Sequence, residues 1–194
     1  FTVSTAATGG GALTYQWQFS TDGGVTFSNL ANGGVYSNVT SATLNITGAT
    51  VAMNTYKYRC VIGGTCTPTA NTSISTLTVY TPVSVSANPA NTTLCENSNA
   101  SFSVTAAGTT PTYQWQVSTD AGANFTNITS ANTATYVAAN ITTSMSNNRY
   151  RCLLTNASCA TAAVSNAAKL TVRALPTISL TAAPLTTLFP GQTT

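Results

Sequence analysis

Apolar and polar residues alternate with a period of two along most of the chain, and nowhere does a helical period persist. In Tyr113-Gln114-Trp115-Gln116-Val117 the apolar residues share one face and the glutamines the other, which predicts a strand with one buried side. Phe102 and Val104, Leu44 and Ile46, Tyr58 and Cys60, and Leu170 and Val172 follow the same rule. Thr, Val, Ser and Asn dominate these runs, long straight-chain helix formers are scarce, and Gly- and Asn-rich turns separate one run from the next. The pattern predicts an all-β sandwich or barrel.

The alternation is itself repeated. Tyr15-Gln16-Trp17-Gln18 recurs as Tyr113-Gln114-Trp115-Gln116 at an offset of 98, and Ser20-Thr21-Asp22-Gly23-Gly24-Val25-Thr26-Phe27 recurs as Ser118-Thr119-Asp120-Ala121-Gly122-Ala123-Asn124-Phe125 at the same offset. Tyr58-Arg59-Cys60 recurs as Tyr150-Arg151-Cys152 and Leu77-Thr78-Val79 as Leu170-Thr171-Val172 at slightly smaller offsets, so the length differences fall in loops. At the front, Phe1-Thr2-Val3 matches Phe102-Ser103-Val104; at the back, the run from Ile178 to Pro184 matches that from Val83 to Pro89. These matches predict a first domain over residues 1–80 that lacks its opening strand, a complete domain over 81–173, and the opening strand of a third over 174–194. The joints at Tyr80-Thr81-Pro82 and Arg173-Ala174-Leu175-Pro176 are short and contain proline, which favours a semi-rigid string of domains. With no initiator methionine and no leader, the chain reads as a window cut from a longer array. The competing expectation is that its terminal residues complete the first domain of an identical chain.

Charge is scarce: only 5% of the 194 residues are charged, six Lys or Arg against three Asp or Glu, and there is no histidine. With 43% hydrophobic residues the chain can still build cores, which argues against disorder. A net charge of +3 offers no dense basic field for nucleic acid. Without histidine the commonest general base and metal ligand are missing, and the carboxylates Asp120 and Glu96 fall in separate turns. No catalytic residue, cofactor or metal site is therefore expected. No 18-residue apolar run occurs, so no transmembrane segment is expected either.

Trp17 with Tyr58-Arg59-Cys60, and Trp115 with Tyr150-Arg151-Cys152, resemble the immunoglobulin pattern of a strand C tryptophan followed by Tyr-x-Cys on strand F. Phe102 or Val104 stands where an antibody domain has its strand B cysteine, so the usual inter-sheet disulfide cannot form. More closely, Tyr-Gln-Trp-Gln, Ser-Thr-Asp-x-Gly, Tyr-Arg-Cys and a closing Leu-Thr-Val resemble the tandem immunoglobulin-like repeats of very large secreted and cell-surface proteins of Bacteroidota. That resemblance covers essentially the whole chain. It implies tandem Greek-key immunoglobulin-like β-sandwiches on the outside of the cell, serving as stalks of adhesins, with Trp17, Tyr58, Trp115 and Tyr150 at the core centres.

Several residues carry candidate chemistry. Ser20-x-Asp22-x-Gly24-x-x-Phe27 and its copy through Asp120 and Gly122 match the Asp-box pattern, readable as a carbohydrate or calcium site or as a hairpin turn; the shortage of carboxylates favours the turn. In an oxidising exterior, Cys60–Cys66 and Cys152–Cys159 are candidate hairpin bridges, with Cys95 odd and its pairing to Cys152 or Cys159 left open. Lys57, Arg59, Arg149 and Arg151 line strand F as a patch for an acidic glycan or a neighbouring filament, or simply as exposed charge. Gln16, Gln18, Gln114 and Gln116 are expected to face solvent, and Tyr36 and Tyr80 find no place in either core. The leading expectation is a non-enzymatic structural or adhesive repeat segment whose partners are neighbouring immunoglobulin-like domains of the same or identical chains; the alternative is a carbohydrate- or ligand-binding module that takes surface glycans.

Overall fold

The computed structural model describes residues 2–4, 12–65 and 68–179. The chain forms two compact units, one mainly of the residues up to Pro82 and the other mainly of those from Val83 onward. Residues 180–194, most of the expected third-domain strand, lie outside the described residues; 174–179 carry no regular secondary structure.

The first unit runs β1 (Thr2–Ser4), β2 (Thr14–Ser20), β3 (Ser28–Asn29), β4 (Tyr36–Ser37), β5 (Thr43–Ile46), β6 (Lys57–Gly63), β7 (Ala70–Asn71) and β8 (Ser75–Thr76). One sheet has the order β3-β2-β6-β7, with β8 also on β6, and the other the order β1-β5-β4. The second unit adds the pieces that precede β1: β9 (Ser84–Ala87) and β10 (Thr92–Cys95), then β11 (Ala100–Ser103), β12 (Thr105–Ala107), β13 (Thr112–Ser118), β14 (Thr126–Asn127), β15 (Thr135–Ala138), β16 (Arg149–Asn156), β17 (Cys159–Val164) and β18 (Ala168–Arg173). Its larger sheet is ordered β10-β18-β16-β13-β14 with β17 on β16, and β11-β15 and β9-β12 pair on the other side. β10 pairs with β18 in parallel, while β9–β12, β11–β15, β13–β14, β13–β16 and β16–β18 are antiparallel.

Both cores follow from the period of two. Along β13 and β16 the inward positions Trp115, Tyr150, Cys152 and Leu154 are at most 1% exposed, and Ala100, Phe102 and Ala138 meet them from the opposite sheet. The first unit repeats this with Trp17, Tyr58 and Cys60 against Leu44 and Ile46. Each indole N–H is satisfied, Trp17 Nε1 donating to the Ser41 carbonyl and Trp115 Nε1 to that of Thr133, both at 2.9 Å, so the large rings are buried without an orphaned donor.

The structure corrects two details of the sequence alignment. Val3 stands opposite Leu44 as Phe102 stands opposite Tyr136, so the counterpart of Phe102 is Val3, two positions on from the expected Phe1. The short Phe/Val motif allowed a slip of one alternation because a shift of two keeps every side chain on its own face. Tyr36 is half-buried: its ring lies 6.2 Å from that of Tyr58, and the two hydroxyls are 3.1 Å apart. It belongs to an insertion in the first unit that forms β4. In the second unit Phe102 stacks on Tyr150 at 4.6 Å and Tyr136 packs against Tyr150 at 5.7 Å. The two cores thus use different aromatics around an equivalent tyrosine. Tyr80 is 41% exposed.

Candidate functional site

The hairpins that leave β2 and β13 organise one sheet face in each unit. In the first, Ser20 Oγ donates to Asp22 at 2.6 Å and accepts the N–H of Gly24 at 2.8 Å, while the Asp22 carboxylate accepts the N–H groups of Val25 and Thr26 at 3.0 Å and the Thr26 hydroxyl at 2.5 Å. In the second, Ser118 Oγ donates to Asp120 at 2.6 Å, and Asn124 donates to the same carboxylate through its backbone at 2.9 Å and its side chain at 2.7 Å. These bonds hold both carboxyls well below the usual carboxylate range; the bond from Ser20 contributes most at Asp22 and the Asn124 N–H most at Asp120. The lone pairs are committed to the turn itself. Among the described residues no group of three or more His, Cys, Asp or Glu gathers to hold a metal ion.

Gly24 and Gly122 both have φ of +98°, and a Cβ there would meet the Cδ of Lys57 at 3.2 Å or of Arg149 at 3.1 Å. Glycine therefore lets the long basic stem of β6 or β16 lie flat over the turn.

The turn then delivers its aromatic beneath an arginine. Arg59 lies 4.0 Å from the centre of the Phe27 ring and Arg151 lies 3.8 Å from that of Phe125. Register fixes the rest: Arg59 stands across from Gln18 and Gln18 across from Asn29. Arg59 Nε donates to Gln18 Oε1 at 2.8 Å, and Gln18 Nε2 donates to Asn29 Oδ1 at 2.8 Å. The second unit has the same two distances through Arg151, Gln116 and Asn127. Each guanidinium is thus held flat by a stacked ring and a braced amide. This network absorbs Arg59 and Arg151, which the sequence offered as a patch for an acidic glycan or a neighbouring filament or as exposed charge. Asn29 and Asn127 escaped notice there, although they recur at the same offset of 98 as the turn.

The inner glutamines are half-buried, and their amides are engaged instead of free in solvent. Gln16 Nε2 donates to the carbonyls of Trp17 and Leu30, and Gln114 Nε2 to those of Trp115 and Ile128, all at 2.9 Å. An amide that reaches over its own strand satisfies carbonyls where the sheet gives way to a loop, a role alternation cannot reveal.

The cysteines are the main correction. Cys60 and Cys152 point into the cores as free, fully buried thiols. The backbone of Cys152 is bonded to Ser165: its carbonyl accepts the Ser165 N–H at 2.9 Å, and its own N–H donates to the Ser165 hydroxyl at 2.9 Å. Cys159 is six residues from Ser165 along the returning chain, roughly 20 Å for extended strand. A disulfide needs Cα atoms within about 7 Å, so the expected Cys152–Cys159 bridge is not formed. The hairpin argument failed because the two cysteines flank one turn at different heights. Cys60 is bonded to Thr72 in the same way, and Cys66 lies outside the described residues. Cys95 is exposed at the end of β10 and is bridged to neither Cys152 nor Cys159.

A protein family described only as a domain of unknown function, DUF8696, matches residues 84–174, which is most of the second unit. No curated protein matches the chain. Among solved structures, the N-terminal eight Ig domains of Down Syndrome Cell Adhesion Molecule (DSCAM) isoform 1.30.30 are 19% identical with a TM-score of 0.55, over 90% of this chain and 24% of that one. A complex of Dpr11 IG1 bound to DIP-gamma gives 15% identity and a TM-score of 0.51 over 84% of each chain. The I67–I69 I-band fragment of titin gives 13% and 0.53 over 82% of this chain and 55% of that one. The chain spans less than half the length of the Dscam structures it matches, at 41% of one and 24% of another. At these identities the likeness is one of fold: the chain consists of immunoglobulin-like β-sandwiches.

Proposed function

We propose that the chain is a structural and adhesive segment of an extracellular bacterial surface protein, in which tandem immunoglobulin-like sandwiches form a stalk or filament shaft. The observation that carries this reading is the parallel pairing of β10 with β18, in register from Thr92 opposite Leu170 to Cys95 opposite Arg173. β10 is the second strand of the second unit and β18 its last, so once β9 has yielded they carry the load from the two ends. A pull on the two ends draws them in opposite directions along their length, so their hydrogen bonds are loaded together in shear instead of opening one at a time. The ladder is extended beyond the strands: Glu96 N–H donates to the Arg173 carbonyl at 2.9 Å, and Leu175 N–H donates to the Glu96 carboxylate at 2.9 Å. DSCAM is by name an adhesion molecule, and Dpr11 and DIP-gamma bind one another through Ig domains, which supports neighbouring Ig-like domains as partners. The surface location follows from the resemblance to large bacterial surface repeats, and protease shaving of intact cells tests it.

Single-molecule pulling tests the mechanical part. The second unit is expected to unfold in one step at high force, and Glu96→Pro, which removes the backbone donor to the Arg173 carbonyl and the carboxylate that accepts the Leu175 N–H, to lower that force while leaving the core packed. If parent and variant yield at the same force, β10 and β18 do not form the clamp and the shaft reading fails.

A further inference from the structure

We infer that the outer face of β13, β16 and β18 in the second unit binds an acidic polysaccharide, its carboxylate or sulfate groups held by Arg149, Arg151 and Lys169. The inference rests on the reading of the chain as an adhesive extracellular segment and names the ligand chemistry that such a segment takes.

Arg149 and Arg151 alternate with the buried Tyr150 and Cys152, and Lys169 lies between the buried Ala168 and Leu170, so all three point outward from the same sheet. Lys169 is directly across from Arg149. Three of the chain's six basic residues therefore stand within two strand positions of one another. Among the described residues the second unit's carboxylates are Asp120, committed to Ser118 and Asn124, and Glu96, which accepts the Leu175 N–H.

The face is also preorganised. Arg151 is stacked on Phe125 and held through Nε by Gln116, which presents its two terminal nitrogens as a fixed fork. A guanidinium whose rotamer is already set loses little entropy on binding, and its geometry suits a planar carboxylate or a sulfate. Gln116 and Asn127 continue the same level with amides, so hydroxyl-bearing groups beside the anion meet donors and acceptors. A protein partner needs a buried apolar or aromatic anchor at the centre of its interface, and here Phe125 is covered by Arg151. A flat polar sheet with spaced cations fits a hydroxyl-rich chain of repeated charge instead.

The first unit is the internal comparison. Its frame of Phe27, Arg59, Gln18 and Asn29 is the same, but Thr76 stands across from Lys57 where Lys169 stands across from Arg149, and Lys57 Nζ is tied to the Thr76 hydroxyl at 3.1 Å. The second unit therefore supplies the stronger site.

The test uses the full chain on immobilised polygalacturonate, heparin, neutral dextran, poly-L-glutamate and duplex DNA at low and physiological salt. Salt-sensitive binding to one or both of the acidic polysaccharides is expected, polygalacturonate and heparin separating carboxylate from sulfate recognition, with none to dextran. Lys169→Gln and Arg151→Gln should each weaken binding about tenfold, the loss of one charge-assisted contact. Thr76→Lys, an exposed change outside the second unit, should strengthen it. Absence of binding to both polysaccharides, equal binding by all variants of unchanged melting temperature, or preference for poly-L-glutamate or DNA overturns the inference. Because pulling force is measured without ligand, failure here leaves the shaft reading intact, and failure there leaves the binding result to stand alone.

Discussion

Cys152 stands directly across from Trp115 in the β13–β16 pair, and Cys60 stands across from Trp17 in β2–β6. In each pair indole and thiol are both buried, and neither thiol has a sulfur partner. The cysteine of the Tyr-x-Cys motif here fills space as a small hydrophobe.

Burial pushes both thiols up from their ordinary range, which removes the thiolate that alkylating reagents need. In the native protein Cys60 and Cys152 should stay unmodified by N-ethylmaleimide while exposed Cys95 reacts, and both should be labelled in urea. Peptide mapping reads this directly. Native labelling of Cys152 would place its thiol outside the core.

Trp115 has no exposed surface and spends its N–H on the Thr133 carbonyl. Trp115→Ala removes the ring and leaves that carbonyl without its donor, at a cost of roughly 3–5 kcal/mol. Denaturant unfolding of the second unit should register the loss; a variant that melts with the parent would refute the core assignment.

Thr55 has φ of +71° where its counterpart Asn147 has +74°. Both give a backbone N–H to the strand that closes the unit, at Leu77 and Leu170, so the conformation is required in each. A β-branched residue pays more for it than asparagine. Thr55→Asn should raise the stability of the first unit by roughly 1 kcal/mol, and Asn147→Thr should lower that of the second by a similar amount. Urea midpoints of the two variants should move in opposite directions.

Asp22 and Asp120 titrate lower in the folded chain than in the unfolded chain, so each adds stability above the ordinary carboxylate value of about 3.9, and that contribution is lost as pH falls below it. Melting temperature should stay flat from neutral pH to about pH 5 and then drop. Asp120→Asn should flatten the acid response of the second unit, as thermal melts across pH would reveal. An unchanged acid limb would show that the turn carboxylate does not carry it.

The all-β character, the repeat and the inward faces were readable in the order of residues, because a strand with one wet side must alternate. That rule identifies the face of Trp115, Tyr150 and Leu170 without any knowledge of their neighbours. The Asp turns were readable too, since Ser, Asp and Gly satisfy one another within a few positions and need no distant partner.

What the order of residues could not determine was height along a strand and identity across it. A shift of two leaves alternation intact, so only strand pairing could place Val3, and not Phe1, at the position of Phe102. The same holds for Cys152 and Cys159, close in sequence and on the two sides of one hairpin, yet separated because Cys152 pairs with Ser165. Sequence determined that arginines, glutamines and aromatics alternate on this sheet; tertiary structure alone decided which guanidinium lies on which ring and which cations stand side by side. Those relationships depend on register between strands that are distant in the chain, a long-range quantity that local patterning does not encode.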